Sequence, residues 1–178
     1  MAQVMGNVIV GQSGGPTAVI NSSLAGVYKT ARDRGAKKVF GMLHGVQGLL
    51  EERVVDLSQH IRSDLDIDLL KRTPSSFLGS CRFKLPEIKD DQAVYDKIFA
   101  ILDKLEIEYF FYIGGNDSMD TIKKLSDYAI LNGSRIRFMG VPKTIDNDLA
   151  VTDHTPGFGS AAKYIASITK EVIRDGLV

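Results

Sequence analysis

Apolar and polar positions alternate along this chain in two different rhythms, and the change of rhythm marks out its elements. Val4 to Val10 is a compact apolar run and reads as a buried strand. A glycine-rich turn follows, then a helical pattern from about Thr17 to Arg34, which Gly35 closes in the usual position after a helix. Val39 to Leu43 reads as a second strand. Leu49 to Arg72 is less regular and predicts one or two short helices. The stretch TPSSFLGSCRFKLP, residues 73–86, carries proline, serine and glycine throughout and reads as a loop. Asp91 to Leu105 repeats Val94, Ile98, Ile101, Leu102 and Leu105 at helical spacing. Tyr109 to Ile113 is a strand. Ser118 to Leu131 is a helix with Met119, Ile122, Leu125 and Ala129 on one side. Ile136 to Val141 is a further strand. Ser160 to Asp175 is a last helix, expected to turn Ala161, Ile165, Ile168 and Val172 inward.

Strand and helix in alternation imply right-handed crossovers. The expected fold is α/β: a three-layer sandwich with a mainly parallel sheet flanked by helices. In such sheets a ligand sits beyond the carboxyl ends of the strands. Three unusual segments each follow directly on a strand: GQSGGPT, GGNDS and PKTIDND. A parallel arrangement places all three on one edge, so residues far apart in the chain are expected to meet in one cleft.

Composition narrows the function classes. The chain has 178 residues, enough for one domain with a substantial core, and its 44% apolar content argues against disorder. Lysine and arginine number 22, as do aspartate and glutamate, which gives no hint of a nucleic-acid or membrane-surface partner. No apolar run approaches the roughly 18 residues of a membrane span. The amino terminus has no secretory pattern, and the single cysteine, Cys81, excludes an intrachain disulfide; both suit a cytoplasmic protein. Matches to the N-glycosylation pattern at Asn21, Asn116 and Asn132 are therefore read as chance.

Each of the three segments has a plain reading and a chemical one. GQSGGPT, Gly11 to Thr17, is either a tight strand-to-helix turn or a phosphate cradle, since glycines admit close backbone approach and a helix start carries positive charge. It lacks the Gly-Lys-Ser/Thr of a P-loop. In GGNDS, Gly114 to Ser118, Asp117 and Ser118 are either helix caps or, with Asn116, neighbours of phosphate and metal. PKTIDND combines Lys143, Thr144, Asp146 and Asp148. It is either an Asx-rich turn or the place where a base, a cation and a hydroxyl meet, as phosphoryl transfer requires. A lysine beside Asp146 is expected to keep that carboxylate ionised. Arg82 is either a solvated loop residue or a fork for phosphate oxygens.

The ordered segments SGGPTAVINSS, FLGSCRF, IGGNDS, PKTIDNDL and TDHTPGFGSAAKYIA resemble the amino-terminal half of the phosphofructokinase family over nearly the whole chain. The resemblance implies the following. Asp146 is the base that deprotonates the sugar 1-hydroxyl, with Thr144 and Ile145 beside it on the sugar side. Asp148 belongs to the same catalytic segment. Gly14, Gly15, Arg82, Gly114, Gly115 and Ser118 hold the phosphoryl donor. Asp117 and Lys143 stand where ATP-using members typically have glycine, which is the pattern of pyrophosphate-dependent members. An aspartate there fills the room of the nucleotide's α-phosphate and repels it, and the lysine brings positive charge to the transferring phosphoryl or leaving phosphate. Asn116 replaces an aspartate usually associated with magnesium, so Mg2+ is expected with Asn116 in its vicinity.

The implied activity is transfer of phosphoryl from pyrophosphate to fructose 6-phosphate. The implied partners are those two substrates, with no nucleic acid or membrane, and a homo-oligomer (dimer or tetramer) for the complete protein. The family's later sugar-contacting motif and its residues for the 6-phosphate have no counterpart in residues 1–178. These residues are therefore expected to form the donor-binding domain of a longer polypeptide. An ATP-dependent enzyme and a non-catalytic ligand-binding module remain the alternatives.

Overall fold

A computed structural model describes residues 6–177. Among them five strands form one sheet: β1 (Asn7–Gln12), β2 (Val39–Met42), β3 (Val54–Asp56), β4 (Ile107–Gly114) and β5 (Arg137–Pro142). Their order is β3-β2-β1-β4-β5. β1 is parallel to β2 and to β4, β4 is parallel to β5, and β3 runs antiparallel to β2 at one edge. The expected beginning of the first strand at Val4 and Met5 lies outside the described residues.

Among the described residues six α-helices accompany the sheet: α1 (Ile20–Asp33), α2 (Gly45–Leu50), α3 (Asp64–Arg72), α4 (Gln92–Lys104), α5 (Asn116–Leu131) and α6 (Phe158–Asp175). Because β-strand side chains alternate, β1 feeds two cores. Val8 and Val10 pack with Leu24, Ala25 and Tyr28 of α1 and with Ile67 and Leu70 of α3. Ile9 packs on the other face with Val46 of α2, Ile98 and Leu102 of α4, and Leu125 of α5. This is the expected sandwich, with strands buried on both faces as parallel sheets require.

The departures have local causes. α1 begins at Ile20, three residues after the expected Thr17, because Ile20 N–H bonds to Thr17 C=O and closes a turn there instead. Leu49 to Arg72 holds α3, capped reciprocally by Ser63 and Asp66, but also the edge strand β3, which was not anticipated. At three residues β3 is too short for a period-2 pattern to show. α6 corrects a stronger expectation. None of its residues is buried, and Ile165 and Val172 are 61% and 64% exposed. Its apolar stripe is real, but among the described residues no element covers it.

The strand order fixes the site. From β1 the chain proceeds to β2 and β3 on one side, while β4 and β5 lie on the other. The order reverses between β1 and β4, and a crevice opens at such a point beyond the carboxyl ends of the strands.

Candidate functional site

The segments after β1, β4 and β5 converge on that crevice. A cleft of about 420 Å³ is lined by Ser13, Gly14 and Gly15 from the first, Gly115 to Ser118 from the second, Lys143 from the third, and Cys81 to Phe83 from the long loop. A second hollow of about 250 Å³ shares Gly15, Gly115, Asn116 and Lys143 with it and continues to Thr144, Ile145 and Asp146. Lys143 and the paired glycine turns form the common wall.

The glycine turns are shaped by necessity. Gly14 has φ of +74°, and a Cβ there would stand 3.3 Å from Lys143 Nζ. Gly114 does not line either hollow. It lies beneath the floor, where a Cβ would meet Ser118 Oγ at 2.0 Å, and its carbonyl accepts from Lys143 N–H at 3.0 Å. Gly114 thus brings β4, α5 and β5 together, while Gly115 faces the cleft.

α5 opens at the cleft with Gly115 as its N-cap and no side-chain cap. Asp117 and Ser118, capping residues by type, do not cap it. The positive end of the helix is therefore available at the cleft. Ser118 is 3% exposed, and Asn116 and Asp117 are on the surface.

Lys143 is the most unusual group. It is 5% exposed, and among the described residues no carboxylate pairs with it. Burial lowers its pKa below the ordinary lysine value. The expected pairing with Asp146 is not formed, because Asp146 lies in the turn beyond, exposed to water. Arg82 is exposed at the rim, also without an ion pair among the described residues. The cleft thus presents two unneutralised cations and a bare helix end.

The PKTIDND turn is anchored by Asn147, not by its aspartates. Asn147 has φ of +54°. Its side chain donates to Asp153 C=O at 3.1 Å and accepts from Thr155 N–H at 2.9 Å. Thr144 N–H bonds to Pro156 C=O, and Thr144 Oγ1 accepts from Asp146 N–H at 3.0 Å. Among the described residues the carboxylates of Asp146 and Asp148 accept no hydrogen bond. Asp146 lines the second hollow; Asp148 lines neither. The anchoring role of Asn147 was missed in the sequence, although an asparagine between two aspartates in a turn is the type that tolerates positive φ.

Below the cleft, Tyr112 Oη lies 3.6 Å from Cys81 Sγ and accepts from Val46 N–H at 3.3 Å. Burial pushes its pKa well above the usual tyrosine range, so it is a neutral support. Asn21, one of the chance glycosylation matches, is fully buried.

Asn116 and Asp117 line the cleft, and no group of three or more metal-binding His, Cys, Asp or Glu side chains occurs among the described residues. That set suits a magnesium ion carried mainly by phosphate oxygens and water, with one or two protein contacts.

A doubly wound α/β domain, with a crevice at its switch point walled by two glycine turns, a buried lysine and an uncapped helix start, is what the fold and the site define. A model for phosphofructokinase matches residues 7–175, and the chain belongs to that family. It is 48% identical over 162 residues to a pyrophosphate--fructose 6-phosphate 1-phosphotransferase of Rhodospirillum rubrum, covering 90% of this chain and 38% of the relative. A protein of the same description from Xanthomonas campestris pv. campestris is 46% identical over 170 residues, covering 96% and 40%. The crystal structure of a pyrophosphate-dependent phosphofructokinase from Nitrosospira multiformis superposes with a TM-score of 0.86 at 43% identity, covering 95% of this chain and 41% of that one. The chain thus spans about two fifths of the length of these relatives.

Proposed function

We propose that this chain is the donor-side part of a pyrophosphate-dependent 6-phosphofructokinase acting in glycolysis in the cytoplasm. The observation that carries the reading is Lys143. A buried ammonium without a carboxylate, beside two glycine turns and a bare helix end, calls for a multivalent anion. Relatives named for pyrophosphate and fructose 6-phosphate supply the substrate class.

Pyrophosphate would lie in the larger hollow, against Gly14, Gly15, Gly115 and Ser118, with Arg82 closing on its oxygens from the rim. Fructose 6-phosphate would approach from the side of Thr144, Ile145 and Asp146. Asp146 takes the proton of the sugar 1-hydroxyl, and that oxygen attacks the nearer phosphorus. The bridging P–O bond breaks and phosphate departs, giving fructose 1,6-bisphosphate. Lys143, in the common wall, steadies the charge that shifts to the leaving phosphate. Asp148 would support the same segment through its charge. Mg2+, held by pyrophosphate with Asn116 or Asp117 as protein ligands, would neutralise donor charge.

The donor preference rests on Asp117 and Lys143. A nucleotide's α-phosphate and sugar would need the space these two side chains border, and Asp117 would repel that phosphate. The sugar-phosphate side and the homo-oligomer belong to the proposal for the whole protein. Calorimetric titration of the chain with magnesium pyrophosphate and with magnesium ATP tests the reading. Binding of pyrophosphate and rejection of ATP is expected; tighter binding of ATP would overturn the donor assignment.

A further inference from the structure

The loop of residues 73–86 contains neither helix nor strand, yet it carries Arg82 to the cleft. Its backbone polar groups must find partners outside a regular ladder. Four of them find two buried amides, Gln12 at the end of β1 and Asn21 in the first turn of α1, both with no exposed surface. Asn21 Nδ2 donates to Thr73 C=O at 2.9 Å and to Ser75 C=O at 2.8 Å. Asn21 Oδ1 accepts from Phe77 N–H at 2.9 Å and from Gln12 Nε2 at 3.0 Å. Gln12 Nε2 also donates to Ile20 C=O at 3.1 Å. Gln12 Oε1 accepts from Leu78 N–H at 2.8 Å and from Ser76 Oγ at 2.9 Å.

Asn21 therefore uses both donors and both acceptor positions, and Gln12 uses both donors and the Leu78 N–H while sharing the Ser76 hydroxyl with Gly79 C=O at 2.6 Å, so neither amide can flip without loss. A few residues on, Ser80 Oγ donates to Gly14 C=O, while Gly14 N–H and Ser13 Oγ donate to Cys81 C=O at 3.2 Å each. The next residue is Arg82. The amide pair thus locks the loop, the loop is stitched to the first glycine turn, and the guanidinium is delivered at the rim.

We propose that Gln12 and Asn21 are positioning residues that set where Arg82 stands over the donor cleft. They touch no substrate and act through the loop. The inference rests on the donor reading of the cleft given above.

The test compares Asn21→Leu and Gln12→Met with the unaltered chain by amide hydrogen exchange and by titration with magnesium pyrophosphate. Phe77 and Leu78 N–H should lose protection, because their acceptors are removed. Gly14 N–H, which touches neither amide, should lose protection too. Pyrophosphate binding should weaken by about tenfold, in keeping with coupled neighbours in one network. The decisive arm is the Arg82→Ala background, where the same substitutions should cost much less affinity, leaving only the share that the loosened Gly14 turn contributes itself. An equal loss in both backgrounds, or unchanged affinity despite a loosened loop, would overturn the proposal.

Should the unaltered chain bind no pyrophosphate, the donor reading fails, and Gly14 exchange decides the positioning claim alone: unchanged protection overturns it. Should the core substitutions prevent folding, Ser76→Ala removes, from a half-buried position, a hydroxyl that lies 2.9 Å from Gln12 Oε1 and 2.6 Å from Gly79 C=O. It should shift the same amides and the same affinity, by about threefold, and the absence of any shift overturns the proposal.

Discussion

Replacing Lys143 by methionine should make the unliganded protein more stable. Methionine keeps a long flexible apolar stem, so the packing of the 5%-exposed side chain changes little. What disappears is an ammonium that burial disfavours and that no carboxylate offsets among the described residues. The cleft admits water, so the relief is placed at the low end of the cost of a poorly solvated charge, about 1 kcal/mol. For a domain of this size that corresponds to a rise in Tm of about 2–4 °C.

The sign of the pH dependence follows from the lowered pKa. Between the folded-state value and the ordinary lysine value the unfolded chain holds more proton than the folded one, so wild-type stability rises with pH there. The cost of burying Lys143 is complete below the folded-state pKa and vanishes above the unfolded one. The advantage of methionine should therefore be full in acid and shrink as pH rises toward the ordinary lysine range. Saturating pyrophosphate should reverse the ranking. At a hundredfold excess over Kd, ligand adds about 2.7 kcal/mol to a protein that binds it, and the methionine variant should forfeit most of this. Urea unfolding of both proteins across pH, with and without magnesium pyrophosphate, reads all of it. A methionine variant that is less stable without ligand, or whose gain ignores pH, would refute the picture of an uncompensated buried cation.

Three further outcomes are expected. In the complete protein Asp146→Asn should cut turnover by about two orders of magnitude or more while donor affinity stays near normal, because the Asp146 carboxylate accepts no hydrogen bond among the described residues; near-normal turnover in a steady-state assay removes it from the role of base. Gly14→Ala should destabilise by about 1–2 kcal/mol through its positive φ and weaken pyrophosphate by crowding Lys143 Nζ, which urea unfolding and titration measure separately. Asp117→Gly with Lys143→Gly should admit ATP, and calorimetry that finds no gain in ATP affinity counts against the steric account of donor choice.

The sheet, its parallel sense and the meeting of three distant segments were legible because each strand is a short apolar run and each run ends in residues of unusual type. The pattern was least informative where structure depends on partners. The stripe of Ile165, Ile168 and Val172 says that α6 has an apolar face, but a stripe cannot say whether anything lies against it. β3 is specified by its pairing with β2 rather than by its own three residues. Within the site, residue types pointed to the three segments that meet at the crevice, and the resemblance to the family divided the roles expected of them. Side-chain geometry then separated residues that the motifs had grouped. Gly114 went under the floor, Asp148 outside both hollows, and Lys143 into the wall apart from Asp146. Gln12, Asn21 and Asn147 escaped notice because a buried amide is recognised by its partners, and those lie elsewhere in the sequence.

Transfer of phosphoryl from pyrophosphate to a sugar hydroxyl at this crevice is read by steady-state assay of the complete protein with fructose 6-phosphate, pyrophosphate and ATP being supplied in turn as donors. Turnover with pyrophosphate and a kcat/KM for ATP lower by at least about a hundredfold are expected; efficient use of ATP, or no transfer from pyrophosphate, would contradict the proposed function.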